Sequence, residues 1–409
     1  MNTTKPRLLL VTHVNPFPGI AGQQQRVRYT LQAINEVFRV TVVTVAPPSH
    51  ISDIERKWLP FAEDVVVLPS ISQRHLLTRI YHKIRARLYQ ATTQLKESNY
   101  ILGTIEYDVK RILSVVKPTE YNIVLFEYWH SHHCAAAIRA MGIPTVLDMH
   151  DILWQSLKRQ LSHIKSHVRE RRVASYRLRE EAAWEDYNAL IAINEREAEY
   201  VRKRHPNIPV LLAQMGTDLT QWPYLYEQGA SQRVGFWGSL SSQVNLSSAM
   251  RAATEVMPII WREMPNVEFW IIGANPPTAL IELQSDNRIR VTGFVETAGP
   301  LLGSMTAVLC PWEGTYGFRS RIVEVMACGV PVVASPDAVY GMGMQVGMGL
   351  LLGDSNQELA QHVIRLLSDK KYSLEQSHAA RLQIENKYSF EATYGRLKYD
   401  LLSLAGYCR

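Results

Sequence analysis

The chain has 409 residues, of which 46% are hydrophobic and 20% charged, a composition that excludes a collagen-like or largely disordered protein. A chain of this length is expected to form about two to three domains. The 44 Lys and Arg residues outnumber the 38 Asp and Glu residues, which gives a net charge of +6. Residues 1–217 hold 29 basic and 20 acidic residues, or +9, whereas residues 218–409 hold 15 and 18, or −3. This asymmetry predicts two domains with different partners.

The cysteines and the N-terminus indicate a cytoplasmic protein. Cys134, Cys310, Cys328 and Cys408 are far apart and include no Cys-x-x-Cys pair, as is typical of proteins in a reducing compartment. The apolar run Leu8–Val11 is shorter than the roughly 7–15 residues of a signal peptide's apolar region, so it is predicted to be a strand. No apolar run approaches the ~18 residues of a membrane-spanning helix.

Short apolar runs alternate with helical stretches along the whole chain. The runs are rich in Val, Ile and Leu without polar alternation, as in strands buried on both faces of a parallel sheet. The strands predicted in the first half are Arg7–Thr12, Val40–Val45, Asp64–Leu68, Asn122–Phe126, Thr145–Asp148, Leu190–Ile193 and Val210–Leu212. Those in the second half are Arg233–Trp237, Val267–Ile272, Ile289–Thr292, Ala307–Pro311, Pro331–Ala334 and Leu350–Leu352. Predicted helices include Leu246–Glu263, Arg319–Cys328, Asn356–Ser368 and Phe390–Ala405.

This alternation predicts an α/β protein with two Rossmann-like, doubly wound domains. The polar stretch Thr217–Gln232 is the predicted linker. We therefore predict an N-terminal domain of residues 1–217, joined by a C-terminal helix over residues 390–409, and a C-terminal domain of residues 218–389. Ligands of such sheets bind beyond the carboxyl ends of the strands, so functional residues are expected just after each strand, in a central cleft that the two domains face.

The segment after the predicted strand Ala307–Pro311 is suited to a phosphorylated ligand. Gly314 and Gly317 allow the backbone to approach a ligand closely, and a helix is predicted to begin near Phe318. The free N–H groups of a helix N-terminus attract an anion.

Charged side chains at the start of this helix strengthen the prediction. Arg319 and Arg321 add two positive charges at a position that the helix dipole disfavours, which favours a functional reason for them. Glu324 lies about one turn inside and offers a carboxylate to sugar hydroxyls. The pattern predicts a site for a diphosphate with a ribose beside it; the alternative is a solvated basic turn.

The run from Gly317 to Val333 resembles the nucleotide-sugar motif of the retaining GT4-type glycosyltransferases (glycosyl transferases group 1), which have the GT-B fold. Other segments follow in the family's order. His13–Val27 resembles its glycine loop, and Leu147–Asp151 resembles the segment with the histidine beside its donor sugar. Gln214–Asp218 resembles the end of its N-domain, and Phe236–Leu240 resembles the first loop of its C-domain. Thr292–Val295 resembles the strand end that holds the base. The resemblance covers nearly the whole chain.

The resemblance implies a retaining transfer of a hexose from a nucleoside diphosphate sugar, with UDP-glucose or another UDP-sugar the first expectation. It implies that Arg321, beside Arg319, replaces the diphosphate-binding lysine and that Glu324 binds the ribose. His150 would contact the transferred sugar; its spacing alone is more typical of a structural loop residue, and the resemblance reverses that preference. Further donor contacts are implied at Gly22, Gly238, Phe294, Val295, Gly317, Phe318 and Ser320.

The sequence departs from the family pattern at two places, and these departures leave diphosphate binding mainly to Arg319 and Arg321. The family often has a second glutamate earlier in the loop, and that position is Tyr316 here. Basic residues that often follow the first strand of the C-domain are replaced by Ser239 and by Gln243–Asn245. Since the chain also has no Asp-x-Asp motif, arginines rather than a metal ion are predicted to meet the leaving diphosphate, and no cofactor is expected.

A histidine cluster follows the predicted strand Asn122–Phe126. His130, His132 and His133, with Glu127 just before them, raise a metal hypothesis, but adjacent side chains diverge and no second cluster has ligand spacing. Contact with the acceptor is therefore the preferred interpretation. Glu127 is the candidate to bind or deprotonate an acceptor hydroxyl.

Two segments concentrate the positive charge of the first half. Residues 74–96 carry six Lys or Arg and no acid, and residues 156–180 carry eight against only two acids. Each is either an amphipathic helix that binds an anionic membrane at its inner face, as a lipid-linked acceptor would require, or an ordinary solvated helix. No nucleic-acid-binding module is present, so no nucleic acid partner is expected.

The main prediction is a glycosyltransferase of polysaccharide or envelope glycan synthesis that acts on a saccharide or lipid-linked acceptor. Two alternatives stay open: a UDP-sugar epimerase of the same fold, and a non-catalytic protein that binds sugar nucleotides or a membrane surface. A nicotinamide or flavin enzyme is not expected, because the first glycine loop has only Gly19 and Gly22 and lacks the G-x-G-x-x-G pattern.

Overall fold

The structure is a computed structural model, and it describes residues 5–17, 22–70, 76–93, 105–161, 165–227, 232–314 and 318–407. The chain divides into two compact units, the first formed by Met1–Gln214 with Tyr394–Arg409 and the second by Met215–Thr393. These boundaries differ from the predicted ones by three residues at the first crossing and four at the second.

The first unit contains a parallel sheet of seven strands in the order β3-β2-β1-β4-β5-β6-β7. The strands are β1 Arg7–Val11, β2 Arg39–Ala46, β3 Asp64–Pro69, β4 Ile123–Glu127, β5 Thr145–Asp148, β6 Ala189–Ala192 and β7 Val210–Leu212. The helices are Gly22–Val37, Ile51–Trp58, Leu76–Thr93, Val109–Leu113, His132–Arg139, Leu153–Gln160, Ser166–Trp184, Glu195–Arg204 and Phe390–Leu404. The central strands are buried along their whole length, which explains their unbroken apolar sequences.

The second unit contains a parallel sheet of six strands in the order β10-β9-β8-β11-β12-β13. The strands are β8 Arg233–Trp237, β9 Glu268–Ile272, β10 Ile289–Gly293, β11 Ala307–Cys310, β12 Val332–Ala334 and β13 Leu350–Leu352. The helices are Gln243–Arg251, Met257–Glu263, Thr278–Glu282, Ala298–Gly303, Ser320–Ala327, Asn356–Ser368 and Lys370–Lys387, with a π-helical turn at Ala252–Val256.

The strand order of each sheet reverses direction once, between β1 and β4 in the first unit and between β8 and β11 in the second. This is the doubly wound arrangement, so the predicted fold class is confirmed. Ligands of such sheets bind at the carboxyl ends of the strands that flank the reversal. Ligand-binding residues are therefore expected directly after β1, β4, β8 and β11.

The described part of the predicted linker, up to Glu227, is hydrogen-bonded to the second unit. The Leu225 N–H donates to the Cys328 carbonyl, the Glu227 N–H donates to the Gly303 carbonyl, and Tyr226 is buried. Because these hydrogen bonds satisfy its backbone, the segment up to Glu227 belongs to the second unit.

No helix in the described part of the chain combines the length and the apolar composition needed to cross a membrane.

Candidate active site

The loop after β11 leads into the helix Ser320–Ala327 at the reversal point of the second sheet. Gly314 has a φ of +83°, a left-handed conformation that favours glycine, and its N–H donates to Asp337 Oδ2 at 2.7 Å. The loop is thus fixed by a turn and a carboxylate. Gly317 and Tyr316, both named by the sequence analysis, lie outside the described residues.

Arg321 and Glu324 form an ion pair on this helix, with 2.6 Å between Arg321 Nη1 and Glu324 Oε2. The Glu324 side chain is 3% exposed, whereas the Arg321 side chain is 27% exposed. Trp237, the last residue of β8, donates its Nε1–H to the same Glu324 oxygen at 3.0 Å and lies under the Arg321 guanidinium, with 4.7 Å from Cζ to the ring centroid. In this arrangement the Arg321 guanidinium is accessible to a ligand, and the Glu324 carboxylate beside it is buried.

Arg319 is held in a similar way. Its guanidinium carbon lies 4.5 Å from the centroid of the Trp312 ring, and its Nη2 donates to the Gly314 carbonyl at 3.0 Å. A stacked guanidinium keeps its charge while losing rotamer freedom. Arg319 and Arg321 are therefore both preorganised at the start of the helix.

The loops after β8 and β9 approach each other so closely that glycine is required. A Cβ on Gly273 would lie 1.9 Å from the Gly238 carbonyl oxygen, and a Cβ on Gly238 would lie 3.1 Å from Asn245 Nδ2. Asn245 in turn donates to the Ser239 carbonyl at 2.9 Å. Gly238 therefore lies in a tightly closed loop beside Trp237.

The remaining donor contacts implied in the second unit surround this loop region or end β10. Phe294 follows β10 and is 73% exposed, and Val295 is half-buried against the core. Phe318 packs on the same core with its ring 6.3 Å from that of Tyr388, and Ser320 is the first residue of the helix. An exposed aromatic ring at a carboxyl strand end is available to stack on a base.

A buried ion pair lies at the carboxyl ends of β4 and β5 in the first unit. Arg26 donates from Nε to both carboxylate oxygens of Asp148 at 2.9 Å, and its Nη1 donates to the Ala213 carbonyl at 2.8 Å. The Arg26 and Asp148 side chains are 1% and 0% exposed. Burial by itself lowers the pKa of Arg26, but the Asp148 carboxylate raises it above its ordinary value.

His150 and Glu127 are joined next to this pair by a hydrogen bond between His150 Nε2 and Glu127 Oε2, and both side chains are buried. The backbone N–H of His150 also donates to Asp148 Oδ1 at 3.3 Å. Burial, and secondarily the Asp148 charge, raise the pKa of Glu127, whereas His150 and Arg26 oppose the rise. Since Glu127 Oε1 is buried and has no hydrogen-bond partner among the described residues, this carboxylate is held for His150 rather than presented to solvent.

The backbone at His150 is strained in a way that aims its ring. Three non-glycine residues in the described ranges have a positive φ, and two of them are Tyr128 (φ 63°) and His150 (φ 60°), which follow β4 and β5. Their rings stack at 4.1 Å with an interplanar angle of 12°. Left-handed conformations of this kind cluster at functional sites. The observation adds a physical reason to the implied role of His150.

The histidine cluster does not form the metal site that its sequence suggested. His132 Nδ1 bonds Asp186 Oδ2 at 2.7 Å, and His130 is buried against the Tyr176 hydroxyl at 3.3 Å. Burial lowers the pKa of His130 to about 3. The group in the described ranges with metal-ligand spacing is instead Glu127, Asp148 and His150, whose ligand atoms lie within 4.8 Å of one another.

Gly22 is the first residue of the helix Gly22–Val37, and a Cβ there would meet no atom of the described residues within 4 Å. Space at this position is therefore open on the side where a side chain would stand.

Comparison with known proteins identifies the second unit. Residues 231–369 match the family model described as glycosyl transferases group 1. These residues form a group 1 glycosyltransferase domain. The predictions of a transferase and of a domain of the glycosyl transferases group 1 are thereby confirmed for these residues. No curated protein sequence matches the chain significantly.

Solved structures show that the glycosyltransferase has the GT-B fold along its length. It is similar to sucrose-phosphate synthase from Thermosynechococcus elongatus, with 16% identity, a TM-score of 0.69, and coverage of 98% of this chain and 100% of that one. It is also similar to Anabaena HepE in complex with UDP and glucose, with 15% identity, a TM-score of 0.62 and coverage of 97% and 100%. TarM has 11% identity, a TM-score of 0.65 and coverage of 98% and 99%.

Several residues of the candidate site were missed by sequence reasoning. Arg26 and Asp148 stand in segments that resemble the family, but their pairing across 122 residues has no local signal. Trp237 and Trp312 were treated only as strand and loop residues. Their position directly beside Gly238 and just after β11, at the carboxyl edge of the sheet, is the signal that would have found them.

Proposed function

We propose that the chain is a retaining glycosyltransferase that moves a hexose from UDP-glucose or another UDP-sugar to a saccharide or lipid-linked acceptor in polysaccharide or envelope glycan synthesis. The observation that carries the proposal is the arrangement of Arg319, Arg321 and Glu324 at the reversal point of the second sheet. Two cations face the place where charge develops on the leaving diphosphate, and a buried carboxylate beside them accepts hydrogen bonds from a ribose.

The solved structures support the choice of donor. The HepE structures contain UDP, UDP with glucose, or UDP-glucose. A TarM variant from S. aureus was crystallised with UDP, α-GlcNAc-glycerol and Fondaparinux. The exposed ring of Phe294 offers a stacking surface for a base near the same sheet edge.

We assign His150 to the transferred sugar and Glu127 to the positioning of His150. The Glu127 side chain is 0% exposed; one of its oxygens bonds the imidazole and the other is buried, so neither is presented to an acceptor hydroxyl. The His150 ring is therefore fixed in orientation and in hydrogen-bonding pattern before a sugar arrives.

We propose that the transfer needs no metal ion. Glu127, Asp148 and His150 have the spacing of a metal site, but the Arg26 guanidinium already compensates the Asp148 charge. In the second unit the guanidinium groups of Arg319 and Arg321 supply the positive charge that a metal gives in Asp-x-Asp enzymes. These two observations support the same conclusion from different units.

A thermal-shift screen tests the proposed function. Millimolar UDP-glucose, UDP-galactose, GDP-mannose and ADP-glucose are each added with and without EDTA, and the unfolding midpoint is recorded. We expect a rise with at least one sugar nucleotide, the largest with a UDP-sugar, and the same rise in EDTA. No rise with any of them would contradict the proposal. Isomerised nucleotide sugar without transfer to an acceptor extract would favour an epimerase instead.

We further propose that the protein is cytoplasmic and binds the inner face of an anionic membrane through the helix Leu76–Thr93. One face of this helix is formed by large apolar side chains that are 44–77% exposed: Leu77, Ile80, Tyr81, Ile84 and Leu88. Arg79, Lys83, Arg85 and Arg87 are exposed on the same helix, which carries no acid. This combination is typical of a helix that lies in the plane of an anionic interface.

The second basic segment has a different role in the structure. In the helix Ser166–Trp184, the apolar residues Val173 and Tyr176 are buried in the core of the first unit, and Glu180 accepts hydrogen bonds from the Leu153 and Trp154 N–H groups. These apolar side chains are covered within the first unit, and only Val168 and Leu178 are large apolar side chains of this helix that are exposed. We therefore restrict the proposed membrane contact to Leu76–Thr93.

The double variant Ile80→Glu/Ile84→Glu should lose binding to vesicles that contain anionic lipid. Each new charge near an anionic surface costs about 1 kcal/mol and removes an apolar contact, so we expect at least about a tenfold weaker partition coefficient. Cosedimentation with phosphatidylcholine vesicles, with and without phosphatidylglycerol, measures it. Ile281→Glu/Leu382→Glu is the matched control, because both residues are similarly exposed (46% and 48%) in the second unit. Equal binding by the two double variants would refute the assignment, as would absence of binding by the wild type.

A further inference from the structure

Trp237 contacts both residues that the proposed function assigns to the nucleotide. Its Nε1–H donates to Glu324 Oε2 at 3.0 Å, and the Arg321 guanidinium carbon lies 4.7 Å from the centroid of its ring. Arg321 and Glu324 also contact each other through an ion pair of 2.6 Å. One indole thus bonds the carboxylate by its edge and supports the cation by its face. We refer to these three residues as the donor triad.

The donor triad solves a problem of burial. Glu324 is 3% exposed, and a carboxylate so deeply buried must have its charge compensated by hydrogen-bond donors. The indole N–H and the guanidinium provide that compensation. A free arginine side chain would lose rotamer entropy when a ligand immobilised it, and a stacked one has already lost much of this freedom.

The position of Trp237 in the strand explains why this residue can act on the site. Phe236, its neighbour, is 0% exposed in the core of the second unit, so the alternation of a strand turns Trp237 to the opposite face. Gly238 follows, where the backbone enters the closed loop after β8. Phenylalanine at this position would keep the stacking surface but not the hydrogen-bond donor.

We propose that Trp237 is a positioning residue that holds Glu324 and Arg321 as one preformed receptor for the ribosyl diphosphate part of the donor. The proposal rests on the proposed function of the same site. Trp312, which stacks under Arg319 at 4.5 Å, shows that the other arginine of the loop is held by the same device. An indole under each arginine keeps both cations in place before the diphosphate binds.

The second unit contains another triad with the same contacts, and it is more exposed: the Arg233 and Glu268 side chains are 34% and 36% exposed. Trp270 donates its Nε1–H to Glu268 Oε2 at 2.9 Å, and Arg233 donates from Nε to the same oxygen at 3.0 Å. The Arg233 guanidinium carbon lies 4.9 Å from the centroid of the Trp270 ring. Arg233 and Glu268 are paired first residues of β8 and β9, at the amino edge of the sheet. Ligands of such sheets bind at the carboxyl edge, so this control triad has a structural role only.

The two triads make a matched experiment possible within one protein. Trp237→Phe, Trp237→Leu, Trp270→Phe and Trp270→Leu are compared by titration calorimetry with UDP, GDP and ADP, and by their unfolding midpoints. We expect both Trp270 variants to bind nucleotide as the wild type does, whatever their stability. We expect Trp237→Phe to raise the Kd for the nucleotide about tenfold, the size of one hydrogen bond to a charged group, and Trp237→Leu to raise it further.

The outcomes separate this inference from the proposed function. If the wild type binds none of the three nucleotides, the proposed function fails, and the positioning role fails with it. If the wild type binds but Trp237→Phe and Trp270→Phe have the same Kd, only the positioning role is overturned. Because a purely structural role would shift the unfolding midpoint of both Phe variants without a selective change in nucleotide affinity, stability alone cannot imitate the expected result.

Discussion

Replacing Arg321 by alanine should lower the rate of transfer from the nucleotide sugar by about 10²–10³-fold, the effect of removing one preorganised group that stabilises charge in a transition state. Arg321 is the cation of the donor triad that solvent and ligand can reach, with a side chain 27% exposed. Turnover is measured as release of the nucleoside diphosphate. Near-normal turnover in the variant would contradict the assignment of the diphosphate site.

The fold should survive this change. Loss of Arg321 removes one partner of the buried Glu324 carboxylate, at a cost of about 1–3 kcal/mol in the free energy of unfolding, while the Trp237 N–H remains bonded to it. Arg321→Lys keeps the charge without the planar guanidinium and should retain part of the activity. Arg233→Ala is the control, since it removes an arginine with the same two contacts from the control triad and should leave turnover unchanged.

Replacing Arg26 by methionine should lower the free energy of unfolding by about 3–5 kcal/mol at neutral pH, because it leaves the charge of Asp148 buried without its partner. Both side chains are at most 1% exposed, so water cannot take the place of the guanidinium. Urea unfolding followed by circular dichroism measures the loss. The double variant Arg26→Met/Asp148→Leu should recover part of it, since an apolar pair replaces the ion pair. Wild-type stability in Arg26→Met would show that the pair is not formed.

The loss in Arg26→Met should depend on pH with a definite sign. Burial already raises the pKa of Glu127, and Arg26 is one of the groups that oppose this rise. A carboxyl group whose folded-state pKa is raised stabilises the fold below the ordinary pKa of glutamic acid, about 4.3, and this contribution is lost as pH increases through the folded-state value. The difference in the free energy of unfolding between the wild type and Arg26→Met should therefore increase from pH 5 to pH 8. A gap that narrows over this range would contradict the charge assignment.

The strands were predictable because each is a short apolar run with a boundary that local chemistry marks. Thr145–Asp148, Val210–Leu212, Arg233–Trp237 and Leu350–Leu352 occur with the predicted bounds, and the other strands differ by one residue at one end or at both. The helix Lys370–Lys387 was not predicted. Its sequence mixes polar and apolar residues around the helix, and polar side chains such as Ser377 and Gln383 are buried there, so no amphipathic period reveals it.

The candidate site was predictable where charge stands next to a strand end in the sequence. Arg319, Arg321 and Glu324 were found in this way, because a loop, a helix start and three charges are adjacent along the chain. The contacts that organise them were not predictable. Trp237 meets Glu324 across 87 residues, and such pairs depend on strand order and on the face to which each side chain points.

The role of Glu127 shows the limit of reasoning from position alone. The sequence places it after β4, at the edge where an acceptor is expected, and predicts that it binds or deprotonates a hydroxyl. The left-handed backbone at His150 turns the imidazole onto this carboxylate, and the two side chains bury each other. A single positive φ at a non-glycine residue has no reliable sequence signal, so the pairing of His150 and Glu127 emerges only in three dimensions.

Proton NMR of the first sugar released from UDP-α-glucose tests the central claim most directly. The wild-type protein is incubated with this donor, with an acceptor extract and without one, and spectra are recorded before mutarotation is complete. The account predicts UDP together with an α-configured product in the presence of acceptor, slow release of α-glucose in its absence, no change in EDTA, and at least about a hundredfold less product with Arg321→Ala. A β-configured first product, an isomerised nucleotide sugar, or a donor that stays intact would contradict it.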